Sequence, residues 1–137
     1  MAALDLLPYL AAGLLLVAGA SKVRHPDTMA DVLAVIGVTS PGLGEGKTLT
    51  AVNLAVSLAM DVTQSVLLVD ANLQSPTIHE VFDLGPSEGL ANYLLDDTPL
   101  EDLLIHPGIG RFVLLPGGRA VPHSAEALTS PRMIALV

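Results

Sequence analysis

A glycine-rich loop between two regular segments is the feature that most constrains the fold of this chain. The loop covers residues 39–48 and reads Thr-Ser-Pro-Gly-Leu-Gly-Glu-Gly-Lys-Thr. It follows an apolar run, Ala34 to Val38, and precedes a segment with a helical apolar period, Lys47 to Met60. This order is typical of a turn that binds nucleotide phosphates, because glycines let several backbone N–H groups approach an anion. The other interpretation is an ordinary glycine-rich turn before a helix.

The loop residues have predicted roles. The pattern G-x-x-x-x-G-K-[ST] places its first glycine at Pro41, so the loop departs from it at one fixed position. Lys47 is predicted to neutralise the β- and γ-phosphate oxygens, and Thr48 to ligate magnesium. Leu49 offers the α-phosphate only its backbone N–H. The predicted ATP-binding residues are Pro41, Gly42, Leu43, Gly44, Glu45, Gly46, Lys47, Thr48 and Leu49.

Asp70 is the second candidate site residue, because it ends the next apolar run, Ser65 to Val69. Ligands bind at the carboxyl ends of strands in open α/β sheets, so we expect Asp70 beside the loop. A carboxylate there could hold a magnesium-bound water or accept a proton from an attacking hydroxyl. We predict Lys47 and Asp70 as catalytic residues, and Thr48 with Asp70 as the Mg²⁺ site. The alternative is an aspartate that only caps the following turn.

Composition narrows the class of fold. Half of the 137 residues are hydrophobic but only 3% are aromatic, so the core is expected to consist of aliphatic residues around buried parallel strands. The formal charge is −8, and no Lys or Arg occurs between Lys47 and Arg111, which argues against a nucleic-acid surface. The absence of cysteine excludes disulfides and Cys-ligated metals. We predict an incomplete P-loop NTPase-like α/β fold, a parallel sheet with helices on both faces.

Further elements are predicted from short periodic segments. A third strand is expected at Phe112 to Leu115, closed by Pro116-Gly117-Gly118. Short helices are expected at residues 77–82, 89–95, 99–105 and 124–129. The acidic residues between 96 and 102 alternate with leucines, so they are interpreted as the solvated face of a helical turn and not as a metal cluster.

The N-terminal segment, residues 4–20, is nearly all apolar and is followed by Lys22 and Arg24. A bilayer core takes about 20 residues of helix, so this run predicts a short membrane helix, a signal segment or a buried helix. The basic flank favours a cytoplasmic location for the rest of the chain. We therefore predict two parts: an apolar, membrane-associated helix with its basic flank at 1–30, and the P-loop domain at 31–137.

The motifs together resemble one family. Thr39-Ser40-Pro41 with Gly44 to Thr48 is similar to the Walker A loop of the bacterial tyrosine kinases of capsular and exopolysaccharide synthesis, within the MinD/ParA group of P-loop ATPases. Val66 to Phe82 resembles the Walker A′ motif of that family. Leu115 to Gly118 and Ser124 to Leu128 match its later segments in order. The resemblance covers about residues 33–134.

The resemblance implies an ATP-binding domain of a tyrosine-protein kinase that uses ATP and Mg²⁺. It further implies a membrane activator of polysaccharide export, self-association, and a place on the cytoplasmic face of the membrane, while the charge pattern predicts no nucleic-acid partner. Asn72 and Gln74 stand where the family commonly has a second acid and an arginine. The Walker B strand is expected after about residue 135 and a tyrosine-rich tail is not seen. We therefore expect an incomplete fragment that is not a competent kinase alone.

Two alternatives remain open. One is a ParA/MinD-like positioning ATPase, although Gly42 stands where those proteins carry a lysine. The other is a non-enzymatic small membrane protein with a degenerate P-loop remnant, because residues 18–27 resemble the end of the first helix in DoxX/MauE-type proteins.

Overall fold

The computed structural model describes residues 15–22, 31–40, 42, 44–61 and 64–136. Its strands are β1 (Leu15–Lys22), β2 (Asp31–Val38), β3 (Gln64–Asp70) and β4 (Phe112–Leu115). Its helices are α1 (Lys47–Ala59), α2 (Ile78–Val81), α3 (Leu90–Leu95), α4 (Ser124–Leu128) and α5 (Pro131–Leu136), and a 3-10 turn covers Leu100–Asp102. Helix α1, which follows the loop, lies where the sequence predicts it, and strand β2, which precedes the loop, ends at the predicted Val38 but starts three residues before the predicted Ala34.

The four strands form one sheet in the order β2-β1-β3-β4. β3 and β4 are parallel, and β1 is antiparallel to both of its neighbours, so β2, β3 and β4 all run in the same direction. Leu15 lies opposite Val38 on one side and Asp70 on the other. The carboxyl ends of β2 and β3 are thus aligned at one edge of the sheet, which confirms the α/β class and the arrangement required for a site at this edge.

The apolar helix predicted for residues 4–20 is wrong over its second part, because Leu15–Lys22 form β1. The run has no helical period, and a strand in a sheet that is covered on both faces also reads as a continuous apolar segment. Residues 4–14 lie outside the described part of the chain. The division of the chain at residue 30 stays a prediction. Among the described residues, no helix is long and apolar enough to span a bilayer.

Helix α1 covers one face of the sheet. Ala51, Ala55 and Ala59 are buried at helical spacing, and these small side chains let the helix approach the strands closely. Val66 and Leu68 of β3 pack beneath them. The buried face of α1 thereby fixes the position of its first turn, which carries the end of the glycine-rich loop.

The opposite face of the sheet is covered by α3, α4 and α5. Leu90, Leu128 and Met133 of these helices pack with Val69 and Leu115 of the strands, and all five side chains are buried. Burial of an aliphatic side chain of this size contributes about 1.5–3 kcal/mol relative to exposure. The predicted helices on both faces of the sheet are confirmed, although β1 adds an antiparallel strand to the predicted parallel sheet.

Helix α5, which the sequence analysis missed, is held against α3 by Arg132. Its Nε donates to the backbone oxygen of Tyr93 at 2.7 Å, and its guanidinium carbon lies 4.4 Å from the centre of the Tyr93 ring. The Tyr93 hydroxyl donates back to the oxygen of Arg132 at 3.3 Å. Arg132 also pairs with Asp97 at 3.0 Å. These contacts bind the last described helix to the domain by polar as well as apolar interactions.

Candidate functional site

The glycine-rich loop begins after β2 and ends where α1 starts. Gly44 has φ 71° and Gly46 has φ 83°, so both lie in the left-handed region that favours glycine. Gly46 is the N-terminal cap of α1, and its oxygen accepts a hydrogen bond from the N–H of Thr50 at 2.9 Å. A Cβ added to Gly44 or Gly46 would meet nothing within 4 Å. The backbone of the loop therefore faces open space at these two positions.

A cavity of about 360 Å³ opens over this loop. That volume is within the range of small-molecule sites, about 300–1,000 Å³. Its lining residues are Ser40, Gly42, Gly44, Glu45, Gly46, Lys47, Thr48, Leu49, Asn72, Ser75 and Thr77. The structure thus brings together the predicted residues 42 and 44–49, whereas Pro41 and Leu43 lie outside the described part. An open glycine backbone, a lysine and a threonine at a helix start fit a magnesium–polyphosphate ligand.

Asp70 ends β3 and is almost fully buried, with 1% of its surface exposed. Its Oδ1 accepts the N–H of Asn72 at 3.1 Å. Its Oδ2 accepts the N–H groups of Thr77 at 3.0 Å and Ile78 at 3.1 Å. The carboxylate therefore closes the turn from residue 71 to 77 and satisfies the first donors of α2.

Burial and hydrogen bonding have opposite effects on the pKa of Asp70. Loss of solvent is the larger effect and raises the pKa above its usual value, while the N–H groups of Ile78, Asn72 and Thr77 and the charge of His79 lower it in part. Asp70 is not one of the described residues that line the cavity. The catalytic and metal-binding roles of Asp70 remain predictions. The contacts in the structure are those of a residue that caps the following turn.

Three residues of the Asp70 turn line the cavity and were not predicted as site residues. These are Asn72, Ser75 and Thr77. The Asn72 side chain donates from Nδ2 to the oxygen of Ser75 at 3.1 Å. The turn-forming composition after Asp70 was the signal that could have found them, because a turn at this edge must lie beside the loop.

A third segment supports the Asp70 turn from the other side. The N–H groups of Leu90 and Ala91 donate to the oxygens of Pro116 at 2.7 Å and Gly117 at 3.0 Å. A Cβ on Gly117 would lie 2.5 Å from Cβ of Pro76 and 3.5 Å from Cγ of Asp70. The segment after β4 therefore packs directly against the turn that contributes to the cavity.

The acidic residues between 96 and 102 were predicted to be a solvated surface. Asp96 forms a salt bridge with Arg119, with a second contact of 3.0 Å between Oδ1 and Nη2. The hydrogen bond from Arg119 lowers the pKa of Asp96 below its usual value. In the described part of the chain, no three His, Asp or Glu side chains are grouped so that they could hold a metal ion.

The strand order, the left-handed glycines and the cavity at the carboxyl edge define a P-loop nucleotide-binding fold. The tyrosine-protein kinase YwqD of Bacillus subtilis is 38% identical over 96 residues, which cover 70% of the chain and 40% of YwqD. The tyrosine-protein kinase CpsD of Streptococcus agalactiae is 32% identical over 95 residues, or 69% of the chain and 41% of CpsD. No family model matches the sequence.

A solved structure gives the same assignment. The kinase domain of the Escherichia coli tyrosine kinase ETK has a TM-score of 0.63 and 32% sequence identity, and the match covers 69% of the chain and 36% of that structure. The chain is therefore a relative of the bacterial tyrosine-protein kinases, which confirms the resemblance of the motifs. It spans about two fifths of the length of the curated relatives it matches.

Proposed function

We propose that the chain is an ATP-binding part of a bacterial tyrosine-protein kinase of capsular or exopolysaccharide synthesis. The observation that carries this proposal is the cavity in which the open glycine backbone meets Lys47, Thr48 and the turn after Asp70. The similarity to YwqD, CpsD and ETK supports the same assignment. We also propose the phosphotransferase activity, a tyrosine acceptor and the role in polysaccharide synthesis.

Each site residue has a role that follows from its position. Lys47 is the first residue of α1, so its ammonium can neutralise phosphate oxygens held over the loop. Thr48 offers a hydroxyl to a magnesium ion, and the backbone N–H groups at the start of α1 add donors and a favourable helix dipole. MgATP supplies the transferable phosphoryl group when it is bound. Asp70 keeps the turn with Asn72, Ser75 and Thr77 in place beside these groups.

A calorimetric titration of the purified chain with MgATP and MgADP tests the nucleotide site without requiring turnover. We expect micromolar binding by the wild type and a loss of about tenfold or more in Lys47→Ala, because a charge-assisted contact contributes about 1.5–3 kcal/mol. Arg111→Ala is the control: Arg111 is also basic, but it is exposed and does not line the cavity. No binding by a folded wild-type chain would overturn the nucleotide site.

The proposal also includes a location and partners. We propose that the domain lies at the cytoplasmic face of a membrane, is stimulated by a membrane activator and self-associates. Phosphotyrosine detection on the chain incubated with MgATP, alone and with membranes from a polysaccharide-producing strain, tests the activity. A signal that needs Lys47 is expected. Binding of MgATP with no phosphotyrosine under either condition would retain the nucleotide site and remove the kinase activity.

A further inference from the structure

The nucleotide cavity contains an acidic side chain where the ligand would be negative. Among the described residues that line the cavity, Glu45 is the acidic one and Lys47 the basic one. Oε2 of Glu45 accepts the N–H of Gly42 at 3.2 Å, and Oε1 lies 3.1 Å from the position of a Cβ on Gly42. The carboxylate therefore lies over the backbone at the start of the loop, on a donor that an anionic ligand could use.

Two consequences follow for a polyphosphate. The N–H of Gly42 becomes available only when the Glu45 carboxylate moves away. In addition, the carboxylate repels the ligand in proportion to the ligand's negative charge. A bound divalent cation removes about two of the roughly four negative charges of ATP, so the repulsion is about twice as large for the metal-free form.

We propose that Glu45 makes this loop selective for the magnesium-bound nucleotide over the metal-free nucleotide. The proposal rests on the proposed function, because it concerns the same cavity. It assigns the selectivity to a repulsive side chain in the loop, in addition to any attraction between the metal and Thr48. Repulsion of the wrong ligand is as effective for specificity as attraction of the right one. Glu45 would thus be a specificity-determining residue and not a catalytic one.

The substitution Glu45→Gln separates charge from hydrogen bonding. Glutamine keeps a side-chain oxygen that can accept the N–H of Gly42, but it carries no charge. Glu45 is exposed, so the substitution is not expected to disturb folding. Glu126→Gln is the matched control, because Glu126 is an exposed acid on α4 and does not line the cavity.

The experiment is a calorimetric titration of wild type, Glu45→Gln and Glu126→Gln with ATP in excess Mg²⁺ and with ATP in EDTA, at low ionic strength. We expect Glu45→Gln to bind metal-free ATP about fivefold more tightly and MgATP about twofold more tightly, as for exposed charge pairs. The preference for the magnesium form then falls by about half or more. High salt should reduce the difference, because the groups are exposed to screening ions.

Three outcomes decide between the proposals. A reduced preference in Glu45→Gln, with Glu126→Gln unchanged, supports the role of Glu45. Binding of MgATP by the wild type with the same preference in Glu45→Gln overturns that role and retains the nucleotide site. A wild type that is folded and binds neither form overturns the nucleotide site and the selectivity together.

Discussion

Two glycine-containing regions meet at the carboxyl edge of the sheet, and their glycines are needed for different reasons. In the loop before α1, Gly44 and Gly46 have positive φ and open space on the side where a Cβ would be. In the region around α3, a Cβ on Gly89 would lie 2.1 Å from the oxygen of Pro116, and one on Gly117 would lie 2.5 Å from Pro76. Gly44 and Gly46 are needed because the backbone there has positive φ, whereas Gly89 and Gly117 are needed because neighbouring atoms leave no room for a Cβ.

The two regions differ in how much of their backbone is available to a ligand. The loop leaves its surface available, although Glu45 accepts the N–H of Gly42 and the Ser40 hydroxyl donates to the oxygen of Gly42. The region around Asp70 and Gly89 is closed, because its N–H groups are paired with the Asp70 carboxylate and with the oxygens of residues 116 and 117. The closed region holds the turn in place, and the open loop is the part that we propose receives the ligand. Similar glycine content in the two regions therefore has different consequences for substitution.

The largest expected effect is on the closed region. Gly89→Ala should lower the free energy of unfolding by about 3 kcal/mol, because the new methyl group would collide with backbone and not with a flexible side chain. Chemical denaturation measures the change. Gly85→Ala is the control, since a Cβ there meets nothing within 4 Å and should change the stability by less than about 0.5 kcal/mol. Equal effects of the two substitutions would contradict the packing role.

A second test concerns Asp70. Asp70→Asn should cost about 2 kcal/mol, because the amide nitrogen cannot accept an N–H and leaves a buried donor unpaired. The raised pKa of Asp70 means that the native state keeps its proton at a pH where the unfolded chain has lost it. The contribution of Asp70 to the free energy of unfolding of the wild type therefore falls as the pH rises from about 3.8 through the raised pKa.

The pH series distinguishes the two influences on Asp70. Because Asn does not titrate, the difference in the free energy of unfolding between the wild type and Asp70→Asn should become smaller as the pH rises above about 4. Urea denaturation of both proteins at pH values from 4 to about 8 measures this. A deficit that widens with rising pH would show that the three N–H donors outweigh burial and lower the pKa of Asp70.

The smallest effect is expected in the open loop. Gly44→Ala should cost about 1 kcal/mol from backbone strain alone, because φ is 71° but the side chain meets no neighbour. Gly44→Asn should cost less, because asparagine tolerates this conformation better. Thermal denaturation of the two variants beside the wild type gives the comparison. A loss as large as that of Gly89→Ala would contradict the distinction between the two regions.

Much of the fold could be predicted because each segment carried its own signal. The apolar period of α1 and the apolar run of β3 identified their elements to within about a residue at each end, and β4 was placed at Phe112–Leu115. The strand β1 was missed because an unbroken apolar run is compatible with a helix or a buried strand, and pairing with β2 and β3 decides between them. Helix α5 was missed although it is no shorter than α3 and α4, which were predicted. Ser130 followed by Pro131 is a helix-start signal that could have found it.

The candidate site was predictable where it is continuous in sequence. The loop from Gly42 to Leu49 lines the cavity, apart from Leu43, which lies outside the described residues. The turn-forming composition after Asp70 indicates a turn beside the loop, but which of its residues line the cavity depends on how the turn folds over Asp70. The contact of Gly117 with Pro76 joins segments about 40 residues apart, so it follows only from the tertiary structure.

The contact between Tyr93 and Arg132 has a consequence for covalent modification. The Tyr93 hydroxyl faces the backbone oxygen of Arg132, and the ring lies beneath the guanidinium. A phosphate on that hydroxyl would remove its proton donor and place negative charge against a carbonyl oxygen, so the hydrogen bond to Arg132 would be lost. Phosphotyrosine at this position would therefore leave α5 attached to α3 without the hydrogen bond that Tyr93 donates.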